Sequence, residues 1–89
     1  MYQIIKITDK RGEVKSGPED MKNLGCIGEA KMEDGCVLFR CRYDRKGDPC
    51  RRVIRTSLVQ NWKKDPETGL IEVETVNSIY RMDPVKTDT

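Results

Sequence analysis

Apolar residues in this chain come in short runs that alternate with polar ones, and turn-forming residues separate the runs. A period of two is that of a strand, whose successive side chains face opposite sides of a sheet. Tyr2 to Thr8 is one such run. It is closed by Asp9-Lys10-Arg11-Gly12, in which Gly12 suits the positive φ of a bulged hairpin and Glu13 to Lys15 form a short return. Glu29 to Met32 alternates and leads into Asp34-Gly35, among the strongest short-range hairpin signals. Cys36 to Tyr43 is the clearest strand. Val37, Phe39, Cys41 and Tyr43 share one face, expected to be the core, and Leu38, Arg40 and Arg42 share the other. Arg51 to Trp62 is a second long strand candidate. Its alternation breaks at Thr56-Ser57, which predicts a bend or bulge. After the turn Asp65-Pro66-Glu67-Thr68-Gly69, Leu70 to Thr75 alternates again, and Ile79 to Met82 resumes beyond Val76-Asn77-Ser78.

No long helical period is present. Ser16-Gly17-Pro18-Glu19-Asp20 reads as a helix start, with Pro18 in the first position and acids at the positive end of the dipole. Asn23-Leu24-Gly25 stops it, so one short helical turn is expected near residues 18–24. Six or seven short strands joined by tight turns must close on themselves or pack as two sheets to hide their edges, and at this length a small barrel is the economical solution. The expected fold is all-β: a small, partly open antiparallel barrel over residues 1–83, followed by a polar tail at 84–89. Phe39, Cys41, Val53, Ile71 and Val73 are expected inside, with Arg40, Arg42, Glu72 and Glu74 outside.

Length sharpens this picture. At 89 residues the chain forms one domain with a thin core, burying about 60–65% of the surface its unfolded form exposes. Such a core leaves little room for a deep substrate cavity and favours binding on a surface. No apolar run approaches a membrane span, and the first seven residues alternate too much for a secretory segment. The expectation is a cytoplasmic protein with no membrane partner.

The chemistry available is limited. The chain has no histidine, the usual base for a nucleophilic cysteine. Cys36 and Cys41 lie five apart on one strand, hence on opposite faces, and the knuckle spacing of a zinc site is missing. The expectation is therefore reduced thiols, with Cys41 in the core and Cys26, Cys36 and Cys50 partly exposed. No catalytic residue, metal or cofactor is expected. The glycines of Gly25-Cys26-Ile27-Gly28 lack the Lys-Ser/Thr of a phosphate loop, and a turn plus close strand packing accounts for them.

Charge carries the one functional signal. Residues 40 to 55 hold seven bases and two acids, so the rest of a chain of net charge +2 has a balance of −3. Arg40, Arg42, Arg51, Arg52 and Arg55 would gather on one hairpin face, and arginine grips phosphate bidentately. The plainer alternative is a solvated face whose arginines pair with Glu29, Glu72 or Glu74. Trp62, beside Lys63-Lys64, is a further candidate contact. Trp62, Tyr43 and Tyr80 are each readable as stacking platforms for bases or a proline-rich peptide, or as core or barrel-end packing.

The order of elements resembles small SH3-like barrels, with an OB-like barrel as the alternative, and Val76-Asn77-Ser78 sits where SH3-like barrels carry a helical turn. Gly25-Cys26-Ile27-Gly28-Glu29-Ala30 resembles the second half of the KOW motif of ribosomal and transcription-factor barrels. Arg55-Thr56-Ser57-x-Val59 with Thr75-x-Asn77-Ser78-x-Tyr80 is similar to a pattern in small uncharacterised bacterial and phage proteins. These readings imply a non-enzymatic interaction module with a protein partner, or, alternatively, a nucleic-acid-binding barrel that uses the arginine-rich hairpin.

Overall fold

The structure, a computed structural model, describes residues 1–85. Six antiparallel strands follow one another around a closed barrel: β1 (Tyr2–Thr8), β2 (Ile27–Glu33), β3 (Cys36–Tyr43), β4 (Val53–Lys64), β5 (Ile71–Thr75) and β6 (Ile79–Pro84). One helix, α1 (Pro18–Asn23), lies between β1 and β2, with Gly17 as its N-cap and Pro18 opening it. The barrel closes fully because β1 pairs with both β2 and β6. The seam with β2 is short, Tyr2 with Gly28 and Gln3 with Ile27. The seam with β6 runs from Tyr2–Pro84 to Thr8–Ile79. A bulge at Ile5 turns β1 away from β2 and along β6, leaving Ile5 exposed while Ile4 and Ile7 both point inward. Pro84 thus belongs to the last strand and not to a tail. Lys86 to Thr89 lie outside the described residues.

The core is filled from every strand except β2, which adds half-buried Ala30 at its margin. Its centre is Ile4, Ile7, Val37, Phe39, Ile54, Ile71, Val73 and Met82, joined by Cys26 and Cys41. Two expected core positions face outward instead. Val53 is 54% exposed and Ile54 takes its place. The register explains the swap: Ile54 pairs with inward-facing Phe39, and Val53 with outward-facing Arg40. Adjacent β-branched residues fit either phase, so the partner strand decides. Tyr43 is 43% exposed, because it ends β3 opposite Ile27 and Pro49, beyond the packed centre. Cys26 and Cys36 are buried rather than partly exposed.

The bulge in β4 falls at Thr56-Ser57, where the pairing slips between Leu38–Arg55 and Cys36–Leu58. Val37 N–H, which loses its ladder partner, donates to Thr56 Oγ1 at 2.9 Å. Across the barrel end, the bend after β5 is closed by Thr75: its Oγ1 accepts from Ser78 N–H and donates to Ser78 O. Asn77 Nδ2 reaches Ser57 Oγ at 2.7 Å and ties the bend to the bulge. The paired motif around Thr56-Ser57 and Thr75 to Ser78 is therefore architectural.

One five-residue turn is used twice. In Asp9–Glu13 and in Asp44–Asp48 the aspartate Oδ1 accepts from two backbone N–H groups, at 2.8 and 3.0 Å in each case. The same backbone bonds close both turns, and Gly12 and Gly47 take φ of 90° and 87°. Both turns carry a pair of bases at the tip, Lys10-Arg11 and Arg45-Lys46.

Candidate nucleic-acid interface

The basic residues project because β3 and β4 alternate. Phe39 and Cys41 face the core, so Arg40 and Arg42 face outward. Between the loop and β4 the pairing slips once: Cys41 N–H bonds Arg52 O, while Cys50 N–H bonds Arg42 O. Arg51 is the extra residue and is exposed. Arg40, Arg42, Arg51 and Arg52, with Tyr43 and Pro49, line an open groove of about 480 Å³, and no carboxylate lines it. An adjoining depression of about 550 Å³ shares Arg52 and Cys50 with it and adds Lys22, Arg45 and Lys46, against Asp44 and Asp48.

Each arginine is held differently. Arg52 is the most fixed, donating to Lys22 O at 2.9 Å and to Asn23 Oδ1, so it ties the end of α1 to β4. Glu19 lies 3.8 Å from it. Arg42 pairs with Glu29 at 2.8 Å, both largely exposed. Arg40 and Arg51 make no ion pair among the described residues. Arg55 lies apart from the groove, opposite Leu38, with Asp34 at 3.9 Å. Trp62 lies farther still, opposite Val73 on the distal half of β4 and 38% exposed. The hairpin thus gathers four of the five arginines and not Trp62.

Two of the acids that could cancel this field, Glu72 and Glu74, are engaged elsewhere. Glu72 pairs with Arg81 at 3.1 Å. Glu74 pairs with Lys10, whose ammonium also reaches Gln60 and the Thr75 carbonyl. These contacts half-bury both glutamates, which sequence alternation places in solvent. Two glutamates do reach the groove arginines, Glu29 at Arg42 and Glu19 at Arg52, through exposed or partly exposed pairs of the kind worth about 0–1 kcal/mol.

Beneath the groove three sulfurs meet. Burial, then side-chain hydrogen bonds with Cys50 and Cys26, push the Cys41 thiol above the ordinary thiol range. Cys41 Sγ donates to Tyr43 O at 3.2 Å, and Cys26 Sγ to Lys22 O at 3.3 Å. A thiol so placed stays protonated and is a poor nucleophile. Spacing along one strand gave no sign of this cluster, because Cys26 and Cys50 reach Cys41 from the segment before β2 and from the β3–β4 loop. Among the described residues, no group of three or more cysteines or acids is arranged to hold a metal ion, and no helix is long and apolar enough to cross a membrane.

Comparison with protein-family models, curated proteins and solved structures finds no match. The site therefore rests on its geometry alone.

Proposed function

We propose that this barrel is a non-enzymatic binding module whose β3–β4 face takes nucleic acid. One observation carries the reading: Arg40, Arg42, Arg51 and Arg52 share one open groove that no carboxylate lines. A protein partner with an acidic surface would meet the same arginines. The repeated negative charge of a phosphate backbone suits a row of planar, bidentate donors better. Glu29 is no obstacle, since a phosphate can displace an exposed carboxylate at little cost. The groove's two thiols, Cys41 and Cys50, have no histidine to activate them, and Cys41 is held protonated.

Retention on immobilised DNA and RNA, measured against salt, tests the reading. Four phosphate contacts give a log–log slope of about −3 on single strands and slightly steeper on duplex. Replacing Arg40, Arg42 and Arg51 together by glutamine abolishes retention and leaves the melting temperature unchanged. Arg52 stays in place in that variant because it also anchors α1. Wild-type protein that shows no salt-sensitive retention at ~50 mM salt, where phosphate contacts are strong, overturns the proposal.

A further inference from the structure

The groove is not lined by cations alone. Tyr43 stands in its wall beside Pro49, and its side chain is among the more exposed large ones on the protein. An aromatic ring at the end of a strand, outside the core and flanked by Arg42, is poorly explained by packing. Its hydroxyl makes no hydrogen bond among the described residues, and Tyr43 is held through its backbone, which pairs with Ile27 and Pro49 and accepts from Cys41 Sγ. A ring and a row of arginines in one open groove are the two components of a single-strand site: cations track the backbone, and the ring accepts a base face.

Resting on the nucleic-acid reading above, we infer that the ligand is a single strand, with one base stacked on Tyr43 and its flanking phosphates on Arg40, Arg42 and Arg51. A duplex keeps its base faces covered by neighbouring base pairs, so it could use the arginines and not the ring. A groove of about 480 Å³ is of a size to hold one unstacked base with its sugar, since small-ligand sites run from about 300 Å³ upward.

The two basic depressions set the path of the strand. They meet at Arg52 and Cys50, so a chain leaving the Tyr43 groove passes the fixed Arg52 guanidinium and enters the region of Lys22, Arg45 and Lys46. Asp44 stands in that second region, yet its Oδ1 is occupied by the backbone N–H groups of Lys46 and Asp48. The second region is the more mixed in charge, with two acids against four bases. It therefore contributes attraction without the aromatic contact, and the groove beside Tyr43 is where bases are sensed.

The test compares three probes on the full chain: a labelled oligothymidylate of about 12 nucleotides, a duplex of equal length, and inorganic polyphosphate of similar charge. The oligothymidylate is expected to bind at least tenfold more tightly than polyphosphate. Tyr43→Ala is expected to weaken oligothymidylate binding about tenfold, the loss of one stacked base, and to leave polyphosphate binding unchanged. Tyr43→Phe, which keeps the ring, is expected to bind as wild type. Equal binding of all three probes, or a Tyr43→Ala protein that binds the oligonucleotide undiminished, overturns the single-strand inference and leaves the phosphate-binding groove standing. A preference for duplex has the same consequence. Failure of the wild-type protein to bind any of the three overturns the groove reading itself.

Discussion

Gly28 is buried where β2 pairs with β3, opposite Cys41, and its replacement by alanine is a sharp test of the packing described. A Cβ at this position would run into the Arg40 carbonyl oxygen, and would lie 2.8 Å from the Arg40 carbonyl carbon and 3.0 Å from Cys41 Cα. All three are backbone atoms of a paired strand, so no rotamer change relieves the clash. The strands must separate, and they do so at the residue that also forms half of the short β1–β2 seam. Inserted atoms in a packed core cost about 1–3 kcal/mol, occasionally more. With only backbone atoms in the way the upper end applies, about 3 kcal/mol. A domain of this size holds on the order of 5–13 kcal/mol in total, and each kcal/mol moves its melting temperature by about 4–8 °C. Thermal unfolding followed by circular dichroism should therefore show a fall of at least about 10 °C. Gly47→Ala is the comparison. Gly47 has φ of 87° and no atom near its missing Cβ, so only the left-handed strain of about 1–2 kcal/mol remains. A Gly28→Ala protein that melts within about 3 °C of wild type, or above Gly47→Ala, refutes the argument.

Other expectations follow from burial and titration. Phe39→Ala, at the core centre, should lose about 3–5 kcal/mol in chemical denaturation, whereas Val53→Ala on the outer face should stay within about 0.5 kcal/mol of wild type. Under native conditions a thiol reagent should modify half-exposed Cys50 first, and Cys26 and Cys41 only at the rate of unfolding. Equal rates at all three would mean that the cluster is open. Asp65 is held below the usual carboxylate range by the Glu67 and Thr68 backbone N–H groups. Its contribution is present above that range and lost as the pH falls through the lowered value, so Asp65→Asn should flatten the acid limb of the stability profile. Burial raises the Tyr80 hydroxyl above its ordinary value near 10. The folded state therefore resists ionisation, and stability should decline as the pH rises past 10, a decline that Tyr80→Phe should reduce.

The strands and turns were legible because each is specified locally. Asp34-Gly35, the Asp-to-Gly loops and Pro18 dictate backbone angles whatever surrounds them, and β3 alternates cleanly. The phase of β4 was not legible. Val53 and Ile54 are chemically equivalent, and only their pairing with Arg40 and Phe39 decides which one is buried. Thr56 advertised the bulge, but its bond to Val37 N–H exists only once β3 is alongside. The arginine site was partly legible for the same reason. Arg40 and Arg42 inherit their direction from Phe39 and Cys41, while the exclusion of Arg55 and Trp62 depends on how far β4 runs beyond its partner. The convergence of Cys26, Cys41 and Cys50 left no trace in spacing, since it is created by barrel closure. The engagement of Glu72 and Glu74 by Arg81 and Lys10 is likewise a product of which strands become neighbours.

The repeated Asp-x-x-Gly-x turn separates two properties that are usually entangled. Its conformation is written by the aspartate and the glycine, so the two bases at the tip are free of any duty to the backbone. In the first copy Lys10 has been recruited as a strut, reaching Gln60, Glu74 and the Thr75 carbonyl across the barrel. In the second, Arg45 and Lys46 make no ion pair among the described residues and stand beside the basic groove. One cassette thus serves as a scaffold in its first copy and leaves its two bases free of ion pairs in its second, among the described residues. Substitutions at the second tip can retune the reach and strength of the surface field without touching the aspartate and glycine that set the turn, which leaves that field free to drift faster than the barrel that carries it.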